Sequence, residues 1–122
     1  MFRKARYVIA VHDLAGTARF YRDALGFTIH EIPDPGWLFF VRDECFIMAG
    51  RCPESLPPSE LGEHSYFAYV EVDDVDELYA RVQAHDVEVV KPLTTEPWGM
   101  AEFGIRTPEG HRMMFASPVL QP

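Results

Sequence analysis

One pattern occurs twice in this chain, a strand, an acid-capped helix and then more strands, first from about Tyr7 and again from about Phe67. The first copy reads Tyr7-Val8-Ile9-Ala10-Val11-His12-Asp13-Leu14, continues through Phe20-Tyr21-Arg22-Asp23-Ala24-Leu25-Gly26 and resumes at Phe27-Thr28-Ile29. The second reads Phe67-Ala68-Tyr69-Val70-Glu71-Val72-Asp73-Asp74-Val75, continues through Leu78-Tyr79-Ala80-Arg81-Val82-Gln83-Ala84-His85-Asp86 and resumes at Val87-Glu88-Val89-Val90. Asp13 and Asp74 are 61 residues apart, Phe27 and Val87 60. A module of about 50 residues buries too little surface to be stable alone. The two copies are therefore expected to fold together as a single domain over residues 1–122.

Local chemistry sets the elements. In each copy a β-branched and aromatic run of strand length meets an acid, Asp13 or Asp74, placed to cap a helix. Asp74 with Glu77 three residues later resembles a capping box. Apolar residues then recur at helical spacing: Leu14, Ala18, Tyr21 and Leu25, and again Val75, Leu78, Tyr79 and Val82. Gly26 suits a left-handed helix stop; Asp86 suits it less well. The first copy continues with extended runs at Thr28–Ile32, Trp37–Arg42 and Cys45–Ala49, broken by Pro33-Asp34-Pro35-Gly36 and Asp43-Glu44. The second continues with Val87–Lys91, Ala101–Arg106 and Arg112–Ala116, with Thr107-Pro108-Glu109-Gly110 as a turn. Each module, about 5–50 and 64–118, is thus strand, helix, strand, strand, strand. A connector over 51–63, with Pro53, Pro57, Pro58 and Gly62, joins them.

Charge narrows the partners. Residues 1–50 carry six basic and six acidic side chains, 51–63 one and three, and 64–122 four and ten, giving the net −8. A nucleic-acid partner is disfavoured, because phosphate binding needs a basic face. The acidity either serves solubility or attracts a cationic ligand to the second module. Nothing approaches a membrane span, and the basic N-terminus lacks the apolar stretch of a signal peptide, so a cytoplasmic location is the default expectation. Cys45 and Cys52 are expected to be reduced, since two cysteines do not make a disulfide framework.

Three stretches carry a family resemblance: Val11-His12-Asp13-Leu14, Phe20 through Phe27, and Pro97-Trp98-Gly99-Met100-Ala101-Glu102-Phe103-Gly104-Ile105-Arg106-Thr107-Pro108-Glu109-Gly110. In this order, on a repeated framework, they resemble the vicinal oxygen chelate superfamily of glyoxalases, extradiol dioxygenases, fosfomycin-resistance enzymes and bleomycin-resistance proteins. The Trp-Gly segment and the Pro-x-Gly turn resemble the bleomycin-resistance branch most; Thr107 stands where the family usually has Asp. The resemblance implies an α+β fold in which paired βαβββ modules form a curved mixed sheet with a cleft, and a homodimer.

It also implies where metal-dependent members hold their ion. The first-strand His of those enzymes falls here on Arg6, its second-module counterpart on Phe67, and the closing carboxylate on Met114; no acid occurs in Cys45-Phe46-Ile47-Met48. Arg stays protonated and Phe offers no lone pair, so no metal or other cofactor is expected. Other histidines do not substitute. By strand parity His64 points away from the cleft, His12 lies about 20 Å from Arg6 at strand rise, and His30, His85 and His111 follow no ligand spacing.

The same parity assigns Arg6, Val8 and Ala10, then Phe67, Tyr69 and Glu71, then Arg112, Met114 and Ala116 to the concave face. Trp37, Phe39 and the Trp98 segment are candidates for its wall, although alternation leaves open which of Phe39 and Phe40 points inward. The candidate ligand-binding set is Arg6, Trp37, Phe39, Phe67, Tyr69, Glu71, Trp98, Glu102, Arg112 and Met114, with no catalytic residue. Aromatic walls with polar handles suit a flat or amphipathic organic molecule; alternatively Phe67, Met114 and Val8 fill the cup. Tyr69, Trp98 and Glu71 favour a cation, whereas Arg6 and Arg112 favour a carboxylate or phosphate. The reading preferred is a metal-free small-molecule-binding protein without turnover. Its alternatives are a metal-dependent or acid-base lyase, isomerase or dioxygenase, using Glu71, Glu102 or Tyr69, and a non-catalytic dimerisation module.

Overall fold

The computed structural model describes residues 1–62 and 64–119. The chain divides into two compact units, Met1–Pro57 and Pro58–Pro122, with the division inside the connector. In the first unit β1 (Tyr7–Val11), α1 (Leu14–Asp23), β2 (Thr28–Glu31), β3 (Trp37–Arg42) and β4 (Cys45–Arg51) follow in order. The second unit opens with a short 3₁₀ turn, Pro58–Glu60. It continues with β5 (Tyr66–Glu71), α2 (Val75–Ala84), β6 (Glu88–Thr95), β7 (Met100–Arg106) and β8 (Arg112–Pro118).

Each unit has its own four-stranded mixed sheet, ordered β1-β4-β3-β2 in one and β5-β8-β7-β6 in the other. The orders are equivalent, with the first strand parallel to the last and the other pairings antiparallel. The repeat in sequence is therefore a repeat in topology.

The helices form where the caps dictate. Asp13 accepts from the Gly16 amide at 2.9 Å, and Asp74 from the Glu77 amide at 3.0 Å. Beyond each helix the chain turns through a left-handed residue, Gly26 at φ 74° and Asp86 at φ 54°, so Asp86 takes the same conformation that Gly26 takes without steric cost. Each helix buries one stripe against one face of its sheet: Leu14, Thr17, Ala18 and Tyr21 in α1, Val75, Leu78 and Val82 in α2.

In the first core Tyr21 stacks on Phe40 with centroids 4.8 Å apart and meets Phe27 edge-on at 5.4 Å. In the second, Phe103 lies 5.4 Å from Phe115 and 4.9 Å from Tyr79. Burying side chains of this kind contributes about 1.5–3 kcal/mol each. Phe40 is fully buried, so Phe39 is the one directed to the other face. The helix-free faces carry most of the candidate residues.

Candidate functional site

On the first unit, register places Met48 between Val8 and Phe39, and Gly50 between Ala10 and Trp37. These residues share the face opposite α1, as alternation requires once Ile9, Val11 and Phe40 are in the core. Val8 is 63% exposed. Phe39 packs against Phe46 at 5.2 Å, and the Arg6 guanidinium lies 4.5 Å above the Phe46 ring. Trp37 lies flat over Gly50: a Cβ at position 50 would come within 2.8 Å of the indole. Arg6, Trp37 and Phe39 are thus brought to one apolar face, with Phe46 and Met48 as further members.

On the second unit the open face is more polar and more connected. Across the strands, Tyr69 pairs with Met114 and Met114 with Gly104, while Glu71 pairs with Ala116 and Ala116 with Glu102. Lys91 stands opposite Gly104. Glu102 is the centre: only 2% exposed, it accepts from the Tyr69 hydroxyl at 2.9 Å, from the Trp98 indole N–H at 3.0 Å and from Lys91 Nζ at 2.7 Å. Lys91 also pairs with Glu96 at 3.0 Å and lies 5.9 Å from the Trp98 ring centroid. Trp98 sits in the β6–β7 turn, where Pro97 presets the backbone and Gly99 donates back to the Glu96 carbonyl.

This network fixes its own ionisation. Desolvation alone would raise the Glu102 carboxyl, but the hydrogen bonds from Lys91, Tyr69 and Trp98, with the Lys91 charge, hold it below its ordinary range. Burial and the hydrogen bond to Glu102 raise the Tyr69 phenol. Burial would lower the Lys91 ammonium, yet its bonds to Glu102 and Glu96 leave it raised. A carboxylate with three donors and a depressed pKa is a poor general base, and a phenol with a raised pKa is a poor proton donor near neutrality. The arrangement instead holds two aromatic rings in place while leaving them accessible, Tyr69 at 47% and Trp98 at 63% exposure.

Strand parity misplaces one predicted residue. β5 and β8 pair Tyr66 with Arg112 and then Ala68 with Met113, so the register slips at Phe67. A bulge of this kind inserts an extra residue and reverses the alternation beyond it. Phe67 consequently packs edge-on to His111 at 5.8 Å, and Tyr66 takes the open-face position beside Arg112. The Tyr66 ring covers Gly104, where a Cβ would come within 3.1 Å of its hydroxyl. His64, expected by parity to point away, lines the same hollow as Tyr66, Lys91, Arg112 and Met114, an open space of about 570 Å³. Glu71 is exposed on this face, next to Tyr69 in alternation. Tyr69, Glu102 and Trp98 are therefore in mutual contact, Arg112 and Met114 lie at the hollow, and Phe67 packs against His111.

The residues at the expected ion positions do not fit a metal. Met48 and Met114 occupy corresponding places, beside Val8 on β1 and Tyr69 on β5, and both offer a thioether where a carboxylate would be needed. Arg6 supplies only donors and Phe67 none. Among the described residues, no three His, Cys, Asp or Glu side chains gather as an ion would require.

A sequence profile of the Glyoxalase/Bleomycin resistance protein/Dioxygenase superfamily matches residues 3–115. The chain belongs to that superfamily. No curated protein sequence matches it. Among solved structures, TioX from Micromonospora sp. ML1 superposes with a TM-score of 0.75 at 24% identity, over 94% of this chain and 99% of that one. A protein of unknown function from Agrobacterium tumefaciens str. C58 gives 0.73 at 26% identity, over 98% and 96%. A glyoxalase/bleomycin resistance protein/dioxygenase from Nocardioides gives 0.68 at 18% identity, over 100% and 88%. These likenesses establish the α+β fold of paired βαβββ modules.

The cysteines are free, Cys45 half-buried in β4 and Cys52 exposed. Among the described residues no helix is long and apolar enough to cross a membrane.

Proposed function

We propose that this protein binds a small, flat organic molecule on its helix-free sheet faces and releases it unchanged, in the manner of the bleomycin-resistance branch of its superfamily. The observation that carries this reading is the Glu102 network. One buried carboxylate holds the Tyr69 hydroxyl and the Trp98 indole N–H at 2.9 and 3.0 Å, leaving both rings available for stacking. Aromatic groups fixed before the ligand arrives lose little freedom on binding, which favours affinity. Each stacked contact is worth on the order of 1 kcal/mol.

The same groups favour binding without turnover. Glu102, the best-placed acid, has its lone pairs engaged by three donors and a depressed pKa, so it does not serve as the base of a lyase or isomerase. On the family resemblance the ion positions of metal-dependent members fall on Arg6, Phe67 and Met114, which favours binding without a metal.

The test is a thermal-shift screen with bicyclic aromatic molecules. A ligand present at a hundredfold excess over its Kd adds about 2.7 kcal/mol of stability. Trp98→Ala and Tyr69→Ala should remove that shift, and mass spectrometry should recover the ligand intact. A hit that the two substitutions leave unaltered, or one recovered as a product, would refute the reading.

A further inference from the structure

The second unit sets two arginines directly opposite each other. Arg106, the last residue of the same β7 run as Glu102 and Gly104, is the register partner of Arg112 at the start of β8, and both line the hollow that contains Tyr66 and Met114. Like charges directly opposite on one sheet face destabilise a strand pair. Here the cost is heightened by burial, since Arg112 is only 7% exposed. Arg112 donates to the Gly62 carbonyl; among the described residues no carboxylate pairs with it. Arg106 pairs through Nη1 with Glu88 at 3.3 Å, while its Nε is buried with no hydrogen-bond partner among the described residues.

The distribution of charge sharpens this. Residues 64–122 carry ten acids and only four bases, Arg81, Lys91, Arg106 and Arg112, and three of those four line this one hollow. Lys91 is already matched by Glu96 and Glu102. Arg106 is matched by Glu88 through Nη1, whereas among the described residues Arg112 has no carboxylate partner and the Arg106 Nε has no acceptor.

We infer that the hollow takes the carboxylate of an aromatic organic acid, bound between Arg106 and Arg112, with the apolar body of the acid directed over Met114 and Tyr66 toward Tyr69. Planar guanidinium groups match a carboxylate through paired N–H···O bonds. A ligand carboxylate supplies Arg112 with the acid that no described residue gives it, and the volume of about 570 Å³ lies within the range of small-molecule sites. The inference rests on the binding reading above and names the ligand class for it.

The experiment titrates the full chain by calorimetry with 2-naphthoate and with its neutral analogue 2-naphthylmethanol. Expected are an affinity for the acid about tenfold or more above that for the alcohol, and a loss of about tenfold for the acid alone in Arg106→Gln and in Arg112→Gln. Because Arg112 is buried and R112Q risks misfolding, the half-exposed Arg106 variant decides the matter by itself. Equal affinities for acid and alcohol, no binding of either, or an R106Q variant that binds the acid as tightly as the parent would overturn the carboxylate assignment. Alcohol binding that Trp98→Ala abolishes would, in that event, leave the aromatic reading standing; acid binding that Trp98→Ala does not touch would remove the aromatic reading and keep this one.

Discussion

Glu102 concentrates the residue-scale physics of this protein. Its carboxylate is buried, satisfied by three donors and held below its ordinary pKa of 4.5. A carboxyl with a depressed folded-state pKa adds stability that is complete above the unfolded value and disappears as pH falls through the folded one. Chemical denaturation between pH 7 and pH 3 should therefore show the parent losing stability below about pH 4.5 more steeply than Glu102→Gln, which keeps acceptors for Tyr69 and Trp98 but has no charge to titrate. Parallel pH profiles would mean that Glu102 is not held as described. Glu102→Ala removes the acceptor altogether and strands three donors, at a cost of about 2–3 kcal/mol, and Trp98 fluorescence should shift as the indole is released. Gly50 is the second sensitive position. A methyl group there meets the Trp37 ring at 2.8 Å, so Gly50→Ala should displace the indole and cost about 1–3 kcal/mol in a urea titration.

At the scale of elements, periodicity and punctuation carry most of the information. Asp13 and Asp74 stand at the caps expected of them, and the strand β3 has the predicted bounds, because caps and β-branched runs act locally. Asp74→Ala should lower the urea midpoint by the equivalent of about 1 kcal/mol; no change would mean that α2 does not depend on its cap. Two features were not legible. Alternation cannot choose between adjacent phenylalanines when both faces of β3 accept one, and only the stack of Phe40 on Tyr21 decides it. Nor does parity survive the slip at Phe67, since a bulge is set by pairing between distant strands, β5 and β8, and leaves no mark in the local composition. That one slip exchanges Phe67 for Tyr66 and brings His64 to the hollow. Lys91 and Arg106 escaped notice for the same reason: their roles depend on register with Gly104 and Arg112, not on their neighbours in sequence.

For the molecule as a whole, the internal repeat was enough to specify two modules of equal topology, and the superfamily follows from it together with the Trp-Gly segment. What the repeat cannot convey is how the two copies have diverged. The first open face is lined by Trp37, Phe39, Phe46 and Met48, with Arg6 at its edge; the second is a charged network around Glu102 beside an arginine pair. The net −8 is compatible with solubility or with a cationic ligand, yet the second module, the more acidic in sequence, gathers three of its four cations at one hollow. Overall charge sets the long-range field, whereas a ligand meets the groups within hydrogen-bond reach. The central claim is that these groups, without a metal ion, suffice to hold an organic molecule. It is tested most directly by measuring the affinity for the best ligand of the aromatic screen before and after exhaustive chelation. The expected result is the same Kd in both preparations; a Kd that collapses on chelation and returns with an added divalent ion would contradict the claim.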